Sequence, residues 1–147
     1  MNAMNTAAIA GLVEGWLQLW NGELGRAREI VAPTFRVHAA MIDGGDGSAV
    51  SGPDSLAGWI GQTRAAFADL TFTLAVGPIN QNDLVALRWS AEGRYGGGFP
   101  GATAGVGTPV AFTGADFLRL ADDRFVEYWV NSDIHVLLAQ LKVATPP

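Results

Sequence analysis

Apolar side chains near the start of the chain recur with the spacing of an α-helix. They occupy positions i, i+3, i+4, i+7, i+8 and i+11: Ile9, Leu12, Val13, Trp16, Leu17 and Trp20. This stripe predicts a helix that ends near Asn21-Gly22. A short helix is expected over Glu23–Val31. It should end there because Pro33 follows. A third helix is predicted to open at Ser51-Gly52-Pro53-Asp54 and to present apolar side chains as far as Leu70.

After Leu70 the apolar positions alternate with polar ones, which is the period of a β-strand. This alternation predicts four consecutive strands: Thr71–Val76, Leu84–Arg94, Val110–Leu120 and Arg124–Asp133. Asn82-Asp83 and Asp122-Asp123 are typical turn sequences between strands. A further strand is expected earlier, over Thr34–Ala40, and Ile134–Val143 is expected to form a short helix or an extended tail.

The order of these elements predicts the class of fold. Helices gather in the first half of the chain and strands in the second half, which indicates an α+β domain. We expect the helices to pack on one face of a curved antiparallel sheet and to enclose a cone. Such a cone is a natural pocket for a small molecule. The chain shows no linker and no repeat, so residues 1–147 are expected to form a single domain.

Composition narrows the range of functions. The chain of 147 residues has no cysteine and two histidines, which excludes disulfide scaffolds, thiolate metal sites and cysteine nucleophiles. We therefore expect no metal site. Nine scattered cations and a formal charge of −5 give no basic stripe, so a nucleic-acid partner is not expected. Because there is no apolar run of about 18–20 residues and no cationic flank before the first apolar stretch, we expect a cytoplasmic protein without a membrane partner.

Strand alternation places a mixed set of side chains on one face of the last strand. That face carries Phe125, Glu127, Trp129, Asn131 and Asp133. A core face excludes carboxylates unless they serve a function, and a solvated face does not need a tryptophan. We therefore predict that this face lines a polar pocket. The predicted outer layer of the sheet is apolar enough to join two copies of the chain as a homodimer: Val85, Leu87, Trp89, Phe117, Tyr128 and Val130.

The two preceding strands add charged residues to the predicted pocket. Alternation puts Asp116 on the same face as Leu118, and Arg88 is predicted to point towards the same space. Burial raises the pKa of a carboxyl group, a second carboxylate raises it further, and an arginine lowers it. Asp116, Glu127 and Asp133 beside Arg88 are thus expected to supply a base and an acid near neutral pH. That combination suits the removal of a proton next to a carbonyl group.

Each candidate also has an alternative structural role. For Asp116 this is a loop cap or an ion pair with a nearby arginine, and for Glu127 it is an ion pair with Arg88. Asp133 precedes the closing segment and suits the N-cap of a helix there. His38, on the early strand, is either a half-buried structural histidine or a base.

Several segments follow one another in an order and spacing that characterise a known family. They are Trp20-Asn21-Gly22-Glu23, Ala32-Pro33-Thr34-Phe35, Gly52-Pro53-Asp54-Ser55-Leu56, Gly98-Phe99-Pro100-Gly101, Gly107-Thr108-Pro109-Val110, Gly114-Ala115-Asp116-Phe117-Leu118-Arg119-Leu120, Phe125-Val126-Glu127-Tyr128-Trp129 and Leu137-Leu138-Ala139-Gln140-Leu141. Over nearly its whole length the chain resembles the SnoaL-like polyketide cyclases of the NTF2-like superfamily.

The resemblance implies a cone-shaped α+β barrel, dimeric through the outer face of its sheet, and cofactor-free chemistry on a small apolar substrate. It implies that Asp133 is the general acid/base of an intramolecular aldol ring closure. It also implies that Asp116 helps to bind the carbonyl group, at a position where the cyclases carry histidine. The positions that match the Asp-Arg-Asp arrangement of related epoxide hydrolases hold Ser90, Arg88 and Asn131 here, which disfavours epoxide hydrolysis.

We interpret the chain as a cofactor-free cyclase or isomerase of secondary metabolism, such as antibiotic biosynthesis, that acts on a polyketide-like carbonyl compound. The expected catalytic residues are Asp133, Asp116 and Glu127. The expected substrate-binding residues are His38, Arg88, Trp129, Asn131, Trp20, Leu118 and Phe99. Alternative functions are an epoxide-opening or hydratase-type cyclase or hydrolase (a lyase or hydrolase) and a small-molecule-binding protein without activity.

Overall fold

The computed structural model describes residues 6–144 of the chain. Its elements are, in chain order, α1 (Thr6–Trp20), α2 (Arg26–Ile30), β1 (Val31–Ala39), α3 (Gly52–Ala65), β2 (Phe67–Gln81), β3 (Leu84–Tyr95), β4 (Pro109–Ala121), β5 (Arg124–Ser132) and α4 (Ile134–Gln140). The predicted α+β order, with helices first and a run of strands afterwards, is confirmed. None of the helices within residues 6–144 is long and apolar enough to span a membrane.

The five strands form one curved sheet in the order β1-β5-β4-β3-β2. β2 to β5 follow one another as antiparallel neighbours, as predicted. β1 pairs in parallel with β5 instead, so the sheet is mixed rather than wholly antiparallel. Parallel neighbours cannot be joined by a hairpin, and here α3 and the rest of the sheet separate the two strands along the chain.

Both predicted turns are present. Asp122 and Asp123 have φ angles of 51° and 64°, the left-handed backbone of a tight two-residue hairpin turn. Asn82, with a φ angle of 55°, lies in the turn between β2 and β3. Asn and Asp adopt this backbone more readily than most residues, because their short polar side chains form local hydrogen bonds.

The boundary between α3 and β2 differs from the prediction. The helix ends at Ala65 and the strand already begins at Phe67, whereas the apolar pattern predicts helix as far as Leu70. Phe67 and Leu70 are three residues apart, which continues the helical stripe, and an irregularity between Ala68 and Thr71 hides the start of the strand alternation. β2 also extends to Gln81, and its pairing with β3 is irregular at several points, which interrupts the alternation.

Helices α1 and α3 pack on the sheet, and aromatic rings from both layers meet between them. Trp16 of α1 is fully buried, and its ring centre lies 5.6 Å from that of Phe125 and 4.8 Å from that of Tyr128. Trp20 of α1 lies 5.4 Å from Trp59 of α3. Such ring pairs each contribute about 0.5–1.5 kcal/mol beyond the burial of their area. The interior of the cone is therefore a network of aromatic contacts.

Two amide side chains cover backbone groups at free edges of the sheet. At the edge strand β2, Asn21 accepts from the N–H of Phe72 at 2.7 Å and donates to its carbonyl oxygen at 3.0 Å. β4 extends past the end of β5, and there Gln140 binds the N–H and carbonyl of Ala111, each at 2.9 Å. Each amide thus takes the place of a missing strand and fixes a helix to the sheet.

Candidate active site

Asp116 is the one charged side chain that is fully buried among residues 6–144, with an exposed fraction of 2%. It lies on β4 and points into the cone, as predicted. Three donors reach its carboxyl group: the indole N–H groups of Trp16 and Trp89, each at 3.0 Å, and the hydroxyl of Tyr128 at 3.2 Å. The donors come from α1, β3 and β5, so this carboxyl group connects the first helix with three adjacent strands.

The environment of Asp116 makes it a candidate acid and base. Burial raises the pKa of Asp116 to about 6, although its three hydrogen bonds favour the carboxylate. Burial, followed by the charge of Asp116, raises the pKa of Tyr128 well above its usual value, so that this hydroxyl stays protonated. Oδ1 accepts two of the hydrogen bonds and Oδ2 accepts one. Oδ2 therefore keeps a lone pair for a further proton.

Gly114 allows Trp89 to approach the carboxyl group. The two residues pair across the β3–β4 ladder, and a Cβ atom at Gly114 would overlap the indole ring of Trp89. The absence of a side chain leaves room for this ring beside β4, where its N–H meets Asp116. A glycine at this position is thus required by the close approach of the ring.

Three of the predicted substrate-binding residues lie in or against the cone. Trp20 is 9% exposed, and Leu118 is completely buried. Phe99 packs against the core from the loop between β3 and β4, where its N–H donates to the hydroxyl of Tyr95 at 3.0 Å. Together with Asp116, these are the predicted site residues that the structure places on the cone side of the sheet.

β5 contains an irregularity that changes the rest of the predicted site. Arg119 pairs with Glu127, but the next residue, Leu120, pairs with Phe125. Val126 is therefore an extra residue, which forms a β-bulge, and the alternation of side chains reverses across it.

The reversal moves three predicted pocket residues to the other side of the sheet. Glu127, Trp129 and Asn131 lie on its outer face, and Tyr128 points into the cone instead. The prediction that these three residues line the pocket is wrong, because it assumes unbroken alternation along the strand.

On the outer face, Glu127 is the centre of an ionic cluster. Its Oε2 lies 2.7 Å from His38 Nε2 and 3.3 Å from the guanidinium of Arg36, and its Oε1 lies 3.3 Å from that of Arg119. Burial alone would raise the pKa of Glu127, but hydrogen bonds from His38 and Arg119 and the charge of Arg36 lower it overall. Glu127 thus has the alternative, structural role of an ion-pair partner. Its partners are His38, Arg36 and Arg119 rather than Arg88.

His38 and Trp129 also belong to this outer surface rather than to the cone. Their rings stack with centres 5.2 Å apart and planes 15° apart. The guanidinium carbon of Arg119 lies 5.6 Å from the centre of the Trp129 ring. The predicted face of β1, with His38 and Arg36 together opposite Phe35, is confirmed, but it is not the pocket face.

Arg88 is a further correction, since it too lies on the outer face. Leu87 pairs with Asp116 across the ladder and shares the cone side with it, which leaves Arg88 on the opposite side. Arg88 donates to the hydroxyl of Thr113 at 3.2 Å and borders an open depression of about 320 Å³ beside Asn131. The prediction assumes that a buried carboxylate needs a cation, whereas Asp116 is stabilised by neutral donors.

The structure also corrects the predicted outer layer of the sheet, on the regular strand β3 as well as on β5. Four of its six members are buried in the core: Val85, Leu87, Trp89 and Tyr128. Phe117 does lie on the outer face and is 50% exposed. Most of the residues on which the homodimer prediction depends are therefore not on the outer face, and their assignment to it is wrong.

Asp133 occupies the N-cap position of α4, and its side chain binds β4 rather than the helix. Oδ1 accepts from the N–H of Thr113 at 2.7 Å, and Oδ2 accepts from the hydroxyl of Thr113 at 3.1 Å. The N–H of Asp133 donates to the carbonyl of Thr113 at 3.0 Å. Asp133 borders the same outer depression as Arg88, whereas Asp116 faces the cone. The structure does not bring the two carboxyl groups together.

Sequence reasoning missed the three donors to Asp116. Trp16 belongs to the apolar stripe of α1, and Trp89 and Tyr128 are assigned by alternation to the outer layer. One signal was available: a buried indole or phenol needs an acceptor, and Asp116 is a carboxylate on a strand that is otherwise apolar on that face.

The donor set of the cone suits an organic ligand. Within residues 6–144, no group of three or more histidine, aspartate or glutamate side chains is arranged to bind a metal ion. The groups of these residues that face the interior are aromatic and aliphatic side chains, indole N–H groups, a phenol and the carboxyl group of Asp116.

The family of the chain follows from its sequence as well as its fold. The sequence pattern of the SnoaL-like polyketide cyclase family matches residues 10–141. The chain belongs to this family. No curated protein matches the chain.

Solved structures from three Streptomyces species share the fold. IdmH from Streptomyces antibioticus, a proposed polyketide cyclase, is 30% identical, with a TM-score of 0.76 over 91% of this chain and 98% of IdmH. TsrD from Streptomyces laurentii is 22% identical, with a TM-score of 0.80 over 96% of this chain and 99% of TsrD. AclR from Streptomyces galilaeus, a proposed hydroxylase, is 21% identical, with a TM-score of 0.78 over 97% of this chain and 89% of AclR. Similarity at the level of TsrD and AclR concerns the fold alone.

Proposed function

We propose that the chain is a cofactor-free enzyme that removes and returns a proton next to a carbonyl group of a small polyketide-like compound, as a cyclase or an isomerase. The observation that carries this proposal is the buried carboxyl group of Asp116, held by three neutral donors inside an aromatic cone. Its pKa of about 6 makes both charge states accessible near neutral pH. Membership of a cyclase family supports the same class of reaction.

In the proposed ring closure, the carboxylate of Asp116 takes a proton from the carbon next to a carbonyl group, and the electron pair of that C–H bond forms an enolate. The enolate carbon then bonds to a second carbonyl carbon of the same molecule, whose C=O electron pair moves to oxygen. The resulting alkoxide takes the proton back from Asp116. The carboxylate is restored and nothing is oxidised or reduced. An isomerase would return the proton to a different carbon.

Features around Asp116 suit this chemistry. Trp16, Trp89 and Tyr128 fix the orientation of the carboxyl group without a cation that would hold its pKa low. The aromatic walls bind flat apolar rings and exclude water. Because Asp116 is 2% exposed, the substrate reaches it through a local opening of this packing.

In this proposal the acid/base role passes from Asp133 to Asp116. Both oxygens of Asp133 are engaged at the edge of β4, and Glu127 belongs to the outer ionic cluster. The geometry gives no support to epoxide opening, because Arg88 and Asn131 lie on the outer face.

Deuterium exchange of 2-tetralone, a bicyclic ketone with acidic protons next to its carbonyl group, tests the proposal. We expect the wild-type protein to accelerate exchange in D2O, followed by NMR, and Asp116→Asn to slow it by roughly 10²–10⁴-fold. Asparagine keeps the size of the side chain, and its amide oxygen still accepts from an indole, so the fold should persist. The matched control, Asp133→Asn, should keep most of the rate.

Two results would change the assignment. If Asp116→Asn retains full exchange while Asp133→Asn loses it, the acid/base role returns to Asp133. If the wild-type protein binds 2-tetralone but does not accelerate exchange, the alternative of a small-molecule-binding protein without activity is favoured.

A further inference from the structure

The indole N–H of Trp20 is buried without a hydrogen-bond partner in the part of the chain that the structure describes, residues 6–144. The residue is 9% exposed. In the same cone, the indole N–H groups of Trp16 and Trp89 both donate to Asp116. An unpaired buried N–H costs about 1–3 kcal/mol, so native structures rarely keep one. The N–H of Trp20 is therefore available to donate a hydrogen bond to a ligand.

Trp20 lies between the donors of Asp116 and the apolar wall of the cone. Its ring centre is 6.1 Å from that of Trp16 and 6.5 Å from that of Tyr128, which both hold the carboxyl group. On its other sides it contacts the ring of Trp59 at 5.4 Å and that of Phe72 at 5.5 Å. A flat ligand in contact with Trp20 would thus lie within reach of the rings that position Asp116.

The position of this indole is fixed before a ligand arrives. Trp20 is the last residue of α1, and its backbone carbonyl accepts from the guanidinium of Arg64 on α3 at 2.9 Å. The following residue, Asn21, is bound to the backbone of Phe72 on β2 through both atoms of its amide. Contacts with α3 and β2 therefore hold the end of the helix. A donor that is already held in place loses little conformational entropy when it binds a ligand.

We propose that the N–H of Trp20 donates a hydrogen bond to the carbonyl oxygen of the ligand, and that the ligand is a neutral ketone with a flat, apolar body. An indole N–H is a donor only, so it recognises an acceptor oxygen. The charged group that faces the cone is the acidic Asp116, which disfavours a ligand that carries a carboxylate. This inference rests on the proposed function. When Asp116 removes the proton, negative charge develops on the carbonyl oxygen, and the hydrogen bond from Trp20 becomes stronger.

The test compares 2-tetralone with tetralin, which has the same two rings but no oxygen. Binding of each compound is measured by calorimetry for the wild-type protein, Trp20→Phe and the matched control Trp59→Phe. We expect Trp20→Phe to bind 2-tetralone about five- to tenfold more weakly, the worth of one hydrogen bond, and to bind tetralin with unchanged affinity. Trp59→Phe should not distinguish the two compounds. In spectra of protein with 15N-labelled indoles, the Trp20 N–H signal should shift downfield with 2-tetralone and not with tetralin.

The outcomes separate this inference from the proposed function. Equal weakening of both compounds by Trp20→Phe, or a Trp20 signal that responds to both alike, would show a packing role and overturn the inference. Asp116→Asn should still prefer 2-tetralone over tetralin, because Trp20 is intact, even though exchange of the ketone protons is slow. If that preference survives in Trp20→Phe instead, the donor is another group, and the role of Asp116 stands. Failure of the wild-type protein to bind either compound would overturn both proposals.

Discussion

At the scale of single residues, the chain buries a charge by surrounding it with neutral donors. Two indoles and a phenol stabilise the carboxylate of Asp116, and Gly114 leaves the space that one of the indoles needs. None of these groups fully replaces the water that burial removes, since the pKa of Asp116 stays raised, at about 6. An ionised group at such a position lowers stability, and the size of this effect depends on pH.

Replacement of Asp116 by asparagine is expected to remove this pH dependence. The pKa of about 6 in the folded protein exceeds the ordinary value of 3.8, so the native state binds the proton more tightly than the unfolded chain does. The stability contributed by the protonated form is fully present below pH 3.8 and is lost as the pH rises through about 6. Relative to Asp116→Asn, the free energy of unfolding of the wild-type protein should fall by about 3 kcal/mol across this window.

Urea denaturation of both proteins on each side of the window measures this difference. Other titrating groups, including Glu127 with its lowered pKa, are present in both proteins, and their contributions cancel in the comparison. Parallel stability profiles for the two proteins would contradict a raised pKa for Asp116.

At the scale of elements, regular periodicity is sufficient to predict most of the fold and part of the site. β4 alternates without interruption, which is why the inward direction of Asp116 is predictable from sequence. The bulge at Val126 is not predictable, because no glycine or proline marks it and every neighbouring residue is compatible with a strand. The parallel pairing of β1 with β5 leaves no local signal either, since it joins segments that are far apart in the chain. The inward direction of Asp116 was therefore predicted on the regular strand β4, and the directions of Glu127 and Trp129 were missed beyond the bulge. Arg88 was misplaced although β3 is regular, because alternation groups side chains into two faces without showing which face points inward.

The hydrogen bonds of Asp133 to the edge of β4 lead to a prediction about stability. Asp133→Ala removes the acceptor of the Thr113 N–H, and an unpaired backbone group of this kind should cost about 1–3 kcal/mol. Asp133→Asn should cost less, because its amide oxygen can replace Oδ1. Amide hydrogen exchange should become faster at Thr113 in Asp133→Ala, and at Ala111 in Gln140→Ala.

Asn131→Ala is the control for the edge of β4, since this neighbouring side chain is exposed. We expect it to change stability by less than about 0.5 kcal/mol. Unchanged exchange at Thr113 in Asp133→Ala would contradict the edge-binding role of Asp133.

At the scale of the whole molecule, the outer face of the sheet has one continuous row of side chains. The strand register places Ile79, Ala86, Phe117, Trp129 and His38 side by side across all five strands. Ile79 is 64% exposed and Phe117 is 50% exposed. The apolar part of this row differs from the predicted outer layer, but it is again a surface that suits association.

We propose that the chain forms a homodimer through this row. Light scattering at micromolar concentration should give twice the chain mass of 15.4 kDa for the wild-type protein. Phe117→Glu places a charge in the centre of the row, where burial against a second copy is unfavourable, and should give a monomer. Val106→Glu, which changes an apolar side chain that is 77% exposed in a loop, should leave the dimer intact. A monomeric wild-type protein, or a dimeric Phe117→Glu, would contradict this interface.

The hydrogen bonds of the Asn21 amide affect how fast this residue is deamidated. Asn followed by Gly is the dipeptide in which spontaneous deamidation is fastest, because the unhindered glycine nitrogen attacks the side-chain carbonyl. In the fold, that carbonyl is bound to the N–H of Phe72, and the N–H of Gly22 is bound to the carbonyl of Leu19 at 3.1 Å. The native state thus holds the two reacting groups to other partners, and the reaction proceeds from molecules in which the end of α1 has come away from β2. The product, aspartate or isoaspartate, has no amide N–H to donate to the carbonyl of Phe72, so each deamidated molecule loses one of the two hydrogen bonds that hold the end of α1 to β2.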